Sequence, residues 1–188
     1  MNNKKRALLI AIMVLLIFAA VILYMRHVET QLPAPPAQQS ETSETAENKT
    51  KVPNFTALDE SGNEVELYDY FGKPVVLNFW ATWCGYCVVE MPAFEEAYNT
   101  YGEEINFLMV NLTDGSTETV ETASDYIAQQ GYTFPILFDT GREAVYAYGV
   151  YSVPVTYFID AEGNLVTGAR GAMDKEGLQK ALDMLLKQ

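Results

Sequence analysis

From Val52 onward, apolar runs of strand length alternate with stretches whose apolar residues recur at helical spacing. Phe55-Thr56-Ala57-Leu58 and Glu64-Val65-Glu66-Leu67 flank Asp59-Glu60-Ser61-Gly62-Asn63, the pattern of a β-hairpin closed by a glycine-containing turn. A short helical stretch from Tyr68 to Phe71 stops at Gly72. Val75 to Trp80 is the first strongly buried strand, and a helix is predicted from Gly85 to Tyr101 with Gly102 as its stop. Ile105 to Asn111 reads as the next strand. Thr117 to Gln130 has helical spacing, with Val120, Ala123, Tyr126 and Ile127 on one face and Gly131 at its end. A strand over Phe134 to Phe138 and a short helix over Arg142 to Tyr148 follow. Val155 to Ile159 then pairs with Leu165 to Gly168 around Asp160-Ala161-Glu162-Gly163-Asn164, and Asp174 to Leu186 closes the chain as a helix. This order predicts an α/β fold: a central mixed β-sheet flanked by helices on both faces, with an N-terminal β-hairpin extension.

The first 51 residues follow another pattern. Lys4-Lys5-Arg6 precede an apolar run from Ala7 to Met25, 19 residues long. As a helix it would measure about 28 Å, close to the hydrocarbon thickness of a bilayer. The run exceeds the usual h-region of a cleaved signal peptide, about 7–15 residues, and no A-x-A site follows it. It is expected to be a transmembrane signal anchor within residues 1–25, with the basic cluster in the cytoplasm and the rest of the chain outside. Residues 26–51 read as a linker: Gln31-Leu32-Pro33-Ala34-Pro35-Pro36-Ala37 is stiff, and the Glu/Ser/Thr-rich remainder cannot bury enough surface to offset its ordering. Residues 52–188 form the globular domain. It holds 6 Lys/Arg against 21 Asp/Glu, which argues against nucleic acid and anionic lipid head groups as its partners.

Trp83-Cys84-Gly85-Tyr86-Cys87 contains the only two cysteines of the chain. A strand leads into them and a helix leads away, so both sulfurs fall on the first turn of a helix. The positive end of the helix dipole and its unsatisfied N–H groups favour a thiolate there. Cys84 is the predicted nucleophile of thiol–disulfide exchange and Cys87 the resolving thiol. A zinc site would need about four ligands, and the single histidine, His27, lies far off in sequence, so no metal is expected. A purely structural bridge would close too small a loop to constrain the chain. Pro154, in Val153-Pro154-Val155-Thr156, reads either as a cis bond or special turn, or as an ordinary strand-entry proline. Glu90, three residues after Cys87, shares its helical face and could either move protons and tune the thiols or be a solvated carboxylate.

The block from Asn78 through Cys84 and Cys87 to Pro92 resembles the active-site segment of the TlpA/ResA-like thiol-disulfide oxidoreductases, members of the thioredoxin superfamily. Phe55, Gly72-Lys73-Pro74, Val153-Pro154 and Asp160-Ala161-Glu162-Gly163 fall where that family has its landmarks. The resemblance implies a thioredoxin-like fold held outside a bacterial cytoplasmic membrane. It implies that Pro154 is a cis-proline facing the dithiol, that the backbone of Val153 pairs with a bound peptide, and that Glu90 is the active-site carboxylate. Trp83, Gly85 and Tyr86 join Val153 and Pro154 as the substrate-binding set. Asn78 stands where cytoplasmic thioredoxins keep a buried aspartate. Trp80 and Trp83 are expected to pack around the site and, as large apolar residues, in the core.

The activity so implied is reduction of disulfides in envelope proteins, for example in cytochrome c maturation or the repair of oxidised proteins. No cofactor is required. A membrane thiol-electron transporter would be the donor, protein disulfides the substrates, and the lipid bilayer a partner through the N-terminal helix. Gly85-Tyr86 departs from the Pro-containing pair that many relatives carry, and Cys-Gly-Tyr-Cys is similar to the motif of some periplasmic disulfide isomerases. An oxidase or isomerase of the same fold, and a redox-gated binding or sensor module without turnover, are therefore the alternatives.

Overall fold

The computed structural model describes residues 13, 15, 17–24 and 49–188. The chain divides into two compact units, residues 1–45 and 46–188. In the first, Ile17 to Tyr24 is helical. The basic cluster, much of the anchor and the linker up to residue 48 lie outside the described residues. Among the described residues no helix is long and apolar enough to cross a membrane.

The second unit runs in the order β1 (Thr56–Leu58), β2 (Glu64–Glu66), a 3-10 turn (Leu67–Tyr70), β3 (Val75–Trp80), α1 (Gly85–Tyr101), β4 (Asn106–Asn111), α2 (Val120–Gln130), β5 (Ile136–Phe138), α3 (Glu143–Ala147), β6 (Val155–Ile159), β7 (Leu165–Arg170) and α4 (Lys175–Leu185). The strands form one sheet in the order β2-β1-β5-β4-β3-β6-β7. β3, β4 and β5 are parallel, whereas β6, β7 and the hairpin run antiparallel to their neighbours.

Every residue of β3 is buried, and its side chains alternate between two cores. Val76 and Trp80 join Met91 and Phe94 of α1, Ile127 of α2 and Leu182 of α4 on one face. Val75, Leu77 and Phe79 join Phe55, Leu67 and Val145 on the other. A strand covered on both sides is apolar at nearly every position, which is why this one reads as a near-continuous run rather than an alternation. Each such side chain contributes about 1.5–3 kcal/mol by leaving water. The one polar residue of β3, Asn78, is completely buried and lies opposite Thr156 of β6.

Two elements start two or three residues later than their patterns predict. α2 starts at Val120 because the Asp114 carboxylate accepts from the N–H groups of Ser116, Thr117 and Glu118, a turn that competes with helix. The Thr119–Thr122 capping box then opens the helix. β5 starts at Ile136 because Pro135 has no N–H, and the N–H groups of Thr133 and Phe134 go to the Glu95 carboxylate of α1. Residues 49–51, which the sequence assigns to the linker, lie against the β6–β7 turn. Lys51 bridges Asn164, Leu165 N–H donates to the Thr50 carbonyl at 2.8 Å, and Lys49 Nζ is 3.0 Å from Asp160.

Candidate active site

β3 ends at Trp80, and the chain turns through Ala81–Cys84 into α1. The turn is closed by Cys84 N–H donating to the Ala81 carbonyl at 3.2 Å. Cys84 is the N-cap of α1, and its Sγ accepts from Cys87 N–H at 3.1 Å, as a side-chain oxygen would at an ordinary cap. The two cysteines are joined in a disulfide. They differ in access: Cys84 retains 6% exposure and Cys87 none.

Facing them is the loop that enters β6. The Val153–Pro154 peptide is cis, and Cys84 Sγ lies 3.6 Å from the Val153 carbonyl oxygen. Of the two readings that spacing leaves for Pro154, the structure therefore shows the cis bond. Gly85 and Tyr86 form the first exposed residues of α1; a Cβ at Gly85 would meet nothing within 4 Å, and Tyr86 is 74% exposed. Trp80 is fully buried, with Nε1 donating to the Met109 carbonyl. Trp83, expected with it in the core, is instead 57% exposed. The Ala81–Cys84 turn lifts its ring off the end of β3 into solvent. Beside it opens a cleft of about 190 Å³ walled by Trp83, Asp114, Arg142, Tyr151 and Val153, among others.

Glu90 projects from α1 towards Asn78 of β3 and is 2% exposed, not solvated. Its carboxylate accepts from Asn78 Nδ2 at 2.9 Å and Met173 N–H at 2.8 Å, and Asn78 Nδ2 also donates to Thr156 Oγ1. Burial pushes the carboxyl up to about 7, against the pull of those two donors. Asn78 Oδ1 is buried without a partner. With the amide turned end for end, that oxygen accepts from a protonated Glu90, so Asn78 can serve both charge states of its neighbour.

The sequence gives no hint of a second buried carboxylate nearby. Glu118 is completely buried and accepts from both polar groups of Thr82, two residues before Cys84. It lies in a segment that reads as helix, and no local pattern singles it out. Among the described residues, no three His, Cys, Asp or Glu side chains gather as a metal site.

A thioredoxin-like sheet carrying a redox-active Cys-x-x-C pair at a helix N-terminus, opposite a cis-proline, defines the class of thiol-disulfide oxidoreductases. The chain belongs to the AhpC/TSA family, whose pattern matches residues 49–167, and within it to the ResA-like thiol-disulfide oxidoreductases. It is 32% identical over 182 residues to the thiol-disulfide oxidoreductase ResA of Bacillus cereus, covering 95% of this chain and 96% of that one. The ResA of Geobacillus thermodenitrificans is 36% identical over 135 residues, 71% of this chain and 75% of the relative. Among solved structures, the exposed lipoprotein thioredoxin Etrx1 of Streptococcus pneumoniae aligns with a TM-score of 0.61 and 32% identity, over 71% of this chain and all of the other.

Proposed function

We propose that the protein is a disulfide reductase that works on the outer side of a bacterial cytoplasmic membrane. The observation that carries exchange at this site is the asymmetry of the dithiol: Cys84 is reachable and faces the Val153 carbonyl at 3.6 Å, while Cys87 is enclosed behind it. The reducing direction follows from the family resemblance of the Asn78–Pro92 block. In the reduced protein, the Cys84 thiolate attacks a substrate disulfide. One substrate sulfur leaves as a thiolate and takes a proton, and the other is held in a mixed disulfide with Cys84. Cys87 then gives up its proton and attacks Cys84 Sγ. The second substrate sulfur leaves, and two electrons have passed to the substrate as the Cys84–Cys87 disulfide forms. Glu90, on the same helical face as Cys87 and with a carboxyl near 7, is suited to take that proton.

The carbonyl of Val153 and the cis Pro154 offer an extended peptide a backbone partner, and Trp83, Gly85 and Tyr86 form the open floor on which it lies. The run Ala7 to Met25 anchors the domain, and residues 26–48 hold it away from the bilayer. A membrane thiol transporter returns the electrons, and the substrates are oxidised envelope proteins, the disulfide form of apocytochrome c among them.

A Cys87→Ser variant should accumulate mixed disulfides through Cys84, identifiable by mass spectrometry; trapping by Cys84→Ser alone would reverse the roles. A titration against glutathione should place the couple below about −250 mV, whereas a value near −120 mV is that of a strong thiol oxidant and sinks the reductase reading.

A further inference from the structure

Glu118 is fully buried, and among the described residues the ion pairs are Lys49–Asp160, Lys175–Glu96 and Lys180–Glu176, none of which involves it. A carboxylate in that position is costly unless its oxygens are fully engaged. Three donors engage them. Thr82 N–H and Asn111 Nδ2 reach Oε1 at 2.9 and 2.7 Å, and the Thr82 hydroxyl reaches Oε2 at 2.6 Å.

The far side of this carboxylate is itself fixed. Glu118 N–H donates to Asp114 Oδ1, which also accepts from Ser116 and Thr117, and Asn111 Oδ1 accepts from the Thr113 hydroxyl at 2.8 Å. Glu118 is not the cap of α2, which Thr119 supplies. Its two oxygens instead grip the residue that precedes Trp83, inside the tight turn that ends at Cys84.

We propose that Glu118 is a positioning residue for thiol exchange. Acting through Thr82, it fixes the Ala81–Cys84 turn, so that the Trp83 ring and Cys84 Sγ are presented in register with the Val153 carbonyl. The inference rests on exchange at Cys84 and is independent of the direction in which electrons flow.

Two reactions read it without a physiological partner: reduced protein with an aromatic disulfide, and oxidised protein with dithiothreitol. Loosening a reacting group by a fraction of an ångström is expensive, so Glu118→Ala is expected to slow both by about tenfold. Glu118→Gln keeps Oε1, and the Thr82 hydroxyl can turn to accept from the new amide, so its rates should return to within about threefold of the parent. Thr82→Val removes one hydroxyl and should cost about threefold, without adding to the loss in the Glu118→Ala background.

All rates are taken on protein shown to be folded by circular dichroism and cooperative melting. Parental rates in a folded but less stable Glu118→Ala overturn the proposal, since Glu118 would then serve the fold alone. A Gln variant as slow as the Ala variant also overturns it. If Glu118→Ala does not fold, Thr82→Val decides: parental rates refute the positioning role, and slowed rates with recovery in Glu118→Gln uphold it. A couple titrating as a strong oxidant would refute the reductase reading while leaving these rates interpretable.

Discussion

Glu90 and Asp160 are both acids withdrawn from water, one on α1 three residues after Cys87 and one at the opposite rim of the sheet, and the fold treats them in opposite ways. Asp160 accepts from the backbone and side-chain N–H groups of Asn164 and pairs with Lys49 at 3.0 Å. Burial pushes its carboxyl up, but Asn164 and the Lys49 ammonium more than offset this and hold it below the usual range. Glu90 has two uncharged donors and no cation in any described ion pair, and burial prevails. An acid with a structural task is fixed in its charged form. The acid that follows Cys87 on α1 is left able to change charge near neutrality.

The largest test of that contrast is the pH dependence of stability. The Glu90 carboxyl rises from 4.5 to about 7 on folding. Between those values the folded protein holds a proton that the unfolded chain has released. Stability should therefore fall as pH rises, by about 3 kcal/mol across the window. Urea unfolding at pH 5 and pH 7.5 measures it, and Glu90→Gln should remove most of the difference between the two. A Gln variant with the parental slope would mean that other groups carry it.

Next in size is Asp160→Ala, which leaves the buried Asn164 donors unpaired and should cost about 2 kcal/mol while leaving exchange at Cys84 unchanged. The sign with pH is opposite to that of Glu90. The Asp160 contribution is present above the ordinary value of 3.8 and is lost as pH falls through the lower folded value, so the variant should lose the corresponding part of the acid transition. The smallest effect belongs to Lys49→Ala. The lysine side chain is 40% exposed, so water and salt screen the pair, and a loss under about 1 kcal/mol that shrinks further in salt is expected. A larger loss would mean that the chain before Val52 contributes more to the rim than this pair.

The dithiol side of this comparison was the more legible in sequence. The bounds of α1, the buried β3 and the place of Cys84 at a helix start follow from local spacing, and the i to i+3 relation put Glu90 on the face of Cys87. What sequence could not supply depends on contacts between distant segments. Glu118 acquires its setting from Thr82, 36 residues away. Trp83 has the composition of a core residue and is exposed because a backbone turn carries it out. The sequence predicts the hairpin, but its seat beside β5 rests on the pairing of Leu58 with Phe138. Lys49 to Lys51 have linker composition, and their order comes from a turn more than a hundred residues downstream.

That last contact has a mechanical consequence. The chain enters the domain at the rim where β6 passes into β7, and Ile159 at that rim pairs with Val75, at the opposite end of β3 from the Cys84 turn. The length of β3, about 17 Å, separates the point of attachment from the reacting sulfurs. A pull arriving from upstream is borne by a short antiparallel bridge and a lysine, not by the turn that aims Cys84. Changes in whatever precedes Lys49 should thus leave the rate of exchange at Cys84 the same.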